Sequence, residues 1–184
     1  MKASTEMETK KRKRKILIVE DNELNRELLN AILEDEYTVL TAENGEVGLQ
    51  MLSEYYRDLS VVLLDVNMPV CDGFEFLRRR QGNPLFTNIP VIVTTGSNNV
   101  DDEVKCLDLG ASDFVTKPYN ARVVLRRVRS IIKLSESVAT LSAVEFDALT
   151  GLFTMQAFNH HAKRMLTNCG DKTVDLIVAD LFQI

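Results

Sequence analysis

Three short runs along the chain are apolar at every position: Ile16–Val19, Val61–Leu64 and Val91–Val93. They are rich in β-branched residues and too short for helices. Runs of this kind are strands buried on both faces, as in a parallel sheet covered by helices. Tyr37–Thr41 and Asp113–Val115 are weaker strand candidates. Between the runs the apolar period changes to that of a helix. Leu24, Leu28, Leu29, Ile32 and Leu33 follow it, with Asn22 as the predicted N-cap. Val47–Leu52 predicts a second helix and Phe74–Arg80 a third. Val104, Leu107 and Leu109 predict a fourth, stopped by Gly110. A fifth starts near Asn120 and carries Val123, Val124, Leu125, Val128 and Ile131. Strand and helix alternate five times, which predicts a doubly wound α/β domain with a five-stranded parallel sheet.

Beyond Ile131 the pattern changes again. Ile131, Leu134, Val138 and Leu141 are spaced 3, 4 and 3, a short heptad seam. A helical stretch to about Asn168 and an apolar run, Val174–Ala179, follow. The run is expected to be a strand of a partial second domain. His160 and His161 are adjacent and cannot both face one metal from a helix, so they are read as surface residues. Cys106 is read as core, and the pair Tyr55-Tyr56 as packing at the end of the second helix.

Composition narrows the class. The chain has 184 residues, 45% of them apolar and 27% charged, enough for a packed core. No stretch has the ~20 apolar residues of a membrane helix, and Met1–Lys15 lacks the apolar core of a secretory signal. Cys71, Cys106 and Cys169 form no Cys-x-x-Cys pair, which argues against a disulfide framework or structural zinc and fits a reducing cytoplasm. The net charge of −5 hides a basic run, Lys10–Lys15. Without those six, 16 of the 22 basic residues face 27 acidic ones. An acidic body is a poor nucleic-acid surface, so the run is read as a solvated leader before a nucleic-acid arm or import signal.

In an open α/β sheet, ligands bind beyond the carboxyl ends of the strands. Glu20 and Asp21 follow the first strand and Asp65 follows the third. Thr94 and Thr95 end the fourth, and Lys117-Pro118 follows the fifth. Each alone has a plain reading: Asp21 as a helix cap, Asp65 as a turn residue, Lys-Pro as a turn. Together they put three carboxylates, a hydroxyl and a lysine on one rim. Crowded carboxylates repel, and a hard cation such as Mg²⁺ relieves them. An ionised Asp attacks phosphorus, and the lysine and hydroxyl stabilise the transferring group's oxygens. The residues therefore predict Mg²⁺-assisted phosphoryl transfer to an aspartate, with Asp65 foremost.

The segments Ile16–Asn22 (ILIVEDN), Leu63–Leu77 (LLDVNMPVCDGFEFL), Pro90–Ser97 (PVIVTTGS) and Gly110–Tyr119 (GASDFVTKPY) resemble the receiver domain of bacterial two-component response regulators. The spacing agrees: 44 residues from Asp21 to Asp65, 30 to Thr95 and 22 to Lys117. The resemblance implies a flavodoxin-like fold and phosphorylation of Asp65 by a sensor histidine kinase or phosphotransfer protein. It implies Mg²⁺ held by Asp21, Asp65 and the Asn67 main-chain carbonyl, with Glu20 helping through water. Lys117 would pair with the phosphoryl group, Thr95 would turn toward it, and Phe114 would follow Thr95 inward. Counting from Pro90 puts Thr95, not Thr94, in register, and Pro118 is expected to be cis. Gly96 and Cys71 depart from the usual Ala and Met.

Asp147–Phe158 (DALTGLFTMQAF) resembles the opening segment of GGDEF domains, the diguanylate cyclase family, with Asp180 at their first metal-binding position. Thr154, Met155 and Phe182 depart from that pattern. The signature loop would lie past Ile184, so no complete nucleotide site is expected. The expected organisation is a basic leader (1–14), a receiver (15–133), a linker helix (134–146) and a GGDEF fragment (147–184). The linker seam is expected to support a homodimer. A haloacid dehalogenase-type phosphatase would place its nucleophile on the first strand and an acid two residues later. Here Asn67 holds that second position and cannot act as an acid. A DNA-binding regulator using the leader is the other alternative, but no helix-turn-helix follows.

Overall fold

The four residues Ile16–Val19 are fully buried, which requires cover on both faces of the strand. A computed structural model describes residues 13–96, 100–145 and 150–168 of the chain. The strands are β1 (Lys15–Val19), β2 (Thr38–Ala42), β3 (Leu59–Asp65), β4 (Val91–Thr95) and β5 (Asp113–Thr116). They pair in parallel in the order β2-β1-β3-β4-β5. This is the doubly wound sheet that the apolar runs predict. β1 and β3 take opposite neighbours, so the crevice between their carboxyl ends is the topological switch point.

The helices are α1 (Glu23–Leu33), α2 (Gly45–Tyr55), α3 (Gly73–Gln81), α4 (Pro84–Thr87), α5 (Val100–Asp108), α6 (Ala121–Glu145) and α7 (Met155–Asn168). Short Asx side chains open most of them. Asn22, Asn44, Asp72 and Asn83 each accept a hydrogen bond from a first-turn amide, and Asn120 accepts from the Arg122 amide. Each such cap contributes about 1 kcal/mol. Gly110, at φ +84°, stops α5 as expected, and the Ala111 amide reaches back to the Cys106 carbonyl.

Alternation along the strands makes two cores. Val62, Leu64, Val91 and Val93 pack with Leu52, Phe76, Leu77 and Cys106 on one face. Ile16, Ile18, Leu63 and Ile92 pack with Leu29, Leu33, Val124, Val128 and Ile132 on the other. Tyr55 and Tyr56 pack against the first core, as their sequence position suggests.

Several details differ from expectation. The one-turn helix α4 has no periodic signal because it is too short to show one. Leu24, Leu28, Val104, Leu107 and Val123 are exposed, although their spacing is helical. Leu29, Leu33 and Cys106 carry the buried faces of α1 and α5 instead. Leu109 lies in the turn after α5, its amide still bonded to the Lys105 carbonyl.

The chain divides into two units, Met1–Ser135 and Glu136–Ile184, and the boundary falls within α6. In α6, Leu134 and Val138 are 61% and 55% exposed, so the predicted seam has no cover there. In the second unit α7 ends at Asn168, where the pattern places its end, and Thr154 Oγ1 accepts from the Ala157 amide. His161 is half-buried with its ring 4.7 Å from that of Phe153, which corrects its reading as a surface residue. Lys10–Arg12, Asp147–Leu149 and Val174–Phe182 with Asp180 lie outside the described residues, as do Cys169 and the side chains of Leu141 and His160. Among the described residues, no helix is long and apolar enough to cross a membrane.

Candidate functional site

β1 ends in Glu20 and Asp21, and β3 ends in Asp65. Because the two strands are neighbours in register, with Val19 opposite Leu64, their carboxylates converge. One oxygen from each of Glu20, Asp21 and Asp65 lies within 4.8 Å of the others. Glu20 and Asp65 are buried and Asp21 is exposed. All three donors are hard oxygens, the kind that suits Mg²⁺.

Lys117 follows β5 across the sheet. Its ammonium lies 2.8 Å from Asp65 Oδ2 and 3.0 Å from Glu20 Oε1. Burial would lower the Lys117 pKa, but its hydrogen bonds to Asp65 and Glu20 hold it above the usual lysine value. The Asp65 pKa is raised, first by burial and further by the Glu20 charge, against the pull of Lys117 and the Asn67 amide. Asp65 Oδ1 is buried and accepts no hydrogen bond among the described residues. One lysine thus serves two buried acids, and the leftover oxygen of Asp65 faces an excess of negative charge. These residues fit a divalent cation.

Glu20 is the most heavily bonded member of the group. Asn25 Nδ2 donates to Oε1 at 3.0 Å, and the Tyr119 hydroxyl donates to Oε2 at 2.8 Å. Arg26 holds the Glu20 main-chain carbonyl at 2.7 Å. Burial pushes the Tyr119 phenol far above its usual range, so it remains a donor at any ordinary pH. Sequence reasoning missed these partners. Asn25 looks like any first-turn residue of α1, and Tyr119 reads as an aromatic after Lys-Pro. The Lys117–Pro118 bond is cis, as expected.

The two threonines part company. Thr94 is the Cα partner of Asp65 in the β3–β4 ladder and shares its sheet face. Thr95, one residue on, lines a small cavity on the other face with Val66, Val93, Cys106 and Phe114. Asp102 and Glu103 close its rim. Phe114 is half-buried, with the Arg127 guanidinium 5.6 Å from its ring centre. The structure therefore brings Glu20, Asp21, Asp65 and Lys117 into one cluster. Thr95 and Phe114, the expected switch pair, line one cavity on the opposite face of the sheet. The Asn67 amide contacts Asp65, and its side chain is exposed.

The backbone under the site leaves no slack. A Cβ on Gly73, the first residue of α3, would come 2.5 Å from the Asp65 carbonyl oxygen. Val70, in the loop between β3 and α3, is 86% exposed and sits at φ +70°, a conformation that strains a β-branched side chain.

Comparison with known proteins agrees with this geometry. The chain is 41% identical over 121 residues to the response regulator PleD of Caulobacter vibrioides, a match that takes in 65% of this chain and 26% of that protein. It is 37% identical over 141 residues to a transcriptional regulatory protein, a CpxR homolog of Haemophilus influenzae, covering 74% of this chain and 60% of that one. It is also 37% identical over 122 residues to a probable cyclic di-GMP phosphodiesterase of Vibrio cholerae, of which it spans 27%. Among solved structures, the receiver domain of a signal transduction histidine kinase from Syntrophus aciditrophicus superposes with a TM-score of 0.60 at 35% identity, over 65% of this chain and 90% of that one. Residues 16–129 match the family described as the response regulator receiver domain, the flavodoxin-like module of phosphorelay signalling, and the chain belongs to that family.

Proposed function

We propose that Asp65 accepts a phosphoryl group from a phosphohistidine on a sensor kinase or phosphotransfer protein, and that Mg²⁺ is required. The observation that carries this reading is the buried Asp65 carboxylate with one oxygen on Lys117 and the other without a hydrogen-bond partner among the described residues. Asp65 Oδ1 attacks phosphorus, the P–N bond of the donor breaks, and its electron pair returns to the imidazole. Asp21 and Asp65, with the Asn67 main-chain carbonyl, would hold the metal, and Glu20 would accept from its water shell. The bound metal would neutralise the phosphoryl oxygens as charge shifts among them. Lys117 moves from Asp65 Oδ2 to a phosphoryl oxygen, a short path because the group is already in contact. Thr95 would supply the hydroxyl that reads the phosphorylated state, and Phe114 would fill the space that Thr95 leaves.

The test is phosphorylation by acetyl phosphate. Wild-type protein should take up one phosphoryl group with Mg²⁺ and none with EDTA. Asp65→Asn should take up none, and labelling of that variant at the wild-type rate would refute the assignment.

For the output, the GGDEF-like segment from Asp147 supports a role in cyclic di-GMP signalling. The name of the Vibrio cholerae relative points to the same nucleotide. The exposed residues Leu134 and Val138 support a homodimer through α6. The cysteine pattern supports a cytoplasmic location.

A further inference from the structure

Resting on the reading of Asp65 as phosphoacceptor, we propose that Tyr119 is a positioning residue for phosphoryl transfer. Its hydroxyl and the Asn25 amide clamp the Glu20 carboxylate, and the clamped carboxylate sets the Lys117 ammonium against Asp65.

Glu20 is fully buried at the end of β1, where a carboxylate could adopt more than one rotamer. Two neutral donors from opposite sides remove that freedom. Asn25, one turn into α1, takes Oε1 at 3.0 Å, and Tyr119, leading into α6, takes Oε2 at 2.8 Å. Lys117 then lies between two carboxylates, 3.0 and 2.9 Å from Glu20 Oε1 and Oε2 and 2.8 Å from Asp65 Oδ2. A lysine is a flexible point charge on four methylenes, and only its partners define where the ammonium rests. With Glu20 held, the ammonium has one position, and that position touches the attacking carboxylate. Without the Tyr119 hydroxyl, Glu20 can turn about its last bond and draw Lys117 away from Asp65. An ångström of such displacement is expensive for a reaction that depends on placement of charge. Donors that orient a charged group from behind typically change rates or affinities by about tenfold or more when removed.

The Tyr119→Phe variant keeps the ring and removes only the hydroxyl. Its melting temperature should stay close to that of the wild type. The Lys117 ¹⁵Nζ resonance of the unphosphorylated, metal-free protein should be sharp in the wild type and broadened or shifted in the variant. The acetyl phosphate reaction at saturating Mg²⁺ should slow about tenfold. The Mg²⁺ concentration giving half the maximal rate should change less than twofold. Asn25→Ala, which removes the opposite donor, should act in the same direction. An unchanged Lys117 resonance with a rate within twofold of wild type would overturn the proposal. So would a changed Mg²⁺ requirement with an unchanged rate at saturation, since Tyr119 would then act on the metal. If the wild type itself accepts no phosphoryl group, the phosphoacceptor reading fails. The resonance still tests the clamp on its own.

Discussion

The Lys117 ammonium rests 2.8 Å from Asp65 Oδ2 while also touching Glu20, so one cation compensates two buried carboxylates. Removing it in Lys117→Met leaves both acids in a low-dielectric site without a counter-charge. The lysine side chain is still 21% exposed, which moderates the penalty. Urea denaturation at neutral pH should show a loss of about 2 kcal/mol. The loss should shrink on acidification, because protonating either carboxylate relieves the repulsion.

Asp65→Asn should be more stable than the wild type by about 1 kcal/mol at pH 7 without divalent cations. Burial raises the Asp65 pKa, so the folded state binds its proton more tightly than the unfolded chain does. The stability tied to that proton is present at low pH and is lost as pH rises through the raised value. Asparagine avoids the loss. The advantage of the variant should therefore disappear below the ordinary aspartate pKa, a trend that thermal melts from pH 3.5 to 8 would reveal.

Mg²⁺ should stabilise the fold by mass action, by about 2.7 kcal/mol at one hundred times its dissociation constant. Asp21 is the exposed member of the carboxylate cluster and contributes little to packing. Asp21→Ala should keep the metal-free melting temperature within a few degrees and lose the Mg²⁺-dependent rise. Calorimetric titration of the variant should show no binding in the range where the wild type saturates.

Arg80 is 3% exposed and pairs with no acid among the described residues. Its guanidinium donates to the main-chain carbonyls of Thr87, Ile89 and Gly110 at 2.9, 2.6 and 3.3 Å. It ties the end of α3 to the turns before β4 and β5. Arg80→Ala should cost about 3 kcal/mol, since three carbonyls lose a donor and a large side chain leaves the interior. Arg80→Lys should recover little, because an ammonium cannot span three acceptors. Urea midpoints of the two variants would check this.

Sedimentation with beryllofluoride, a phosphoryl mimic, should show more dimer than sedimentation without it. Leu134→Glu/Val138→Glu should remain monomeric in both conditions.

The strands and the acid cluster were legible because each depends on one kind of signal. β1, β3 and β4 are built on continuous apolar runs, and Glu20 and Asp65 stand directly after the runs of β1 and β3. β2 and β5 are half-polar, yet Tyr37–Thr41 and Asp113–Val115 lie within a residue or so of the observed strands. Side-chain direction was less legible. Leu24 and Leu28 fit a helical period as well as Leu29 and Leu33 do, and only the packed sheet distinguishes them. Arg80 reads as one of three arginines ending α3, and nothing in the spacing marks it as the buried one. Val70 stands where its φ would favour glycine. The Tyr119 donor on Glu20 could not be seen, because the two lie 99 residues apart, and Asn25 reads only as a first-turn residue of α1.

That separation bears on how the protein folds. The contacts of Lys117 with Asp65 and Glu20 join residues 52 and 97 positions apart. They cannot form until β1, β3 and β5 have all taken their places, and closing such long loops is the slow part of assembling a parallel sheet. The carboxylate cluster is therefore expected to form after the folding barrier. Changes at Lys117 should leave the refolding rate almost untouched and appear in the unfolding rate. Substitutions at the signalling site should then alter the lifetime of the folded receiver more than its speed of formation.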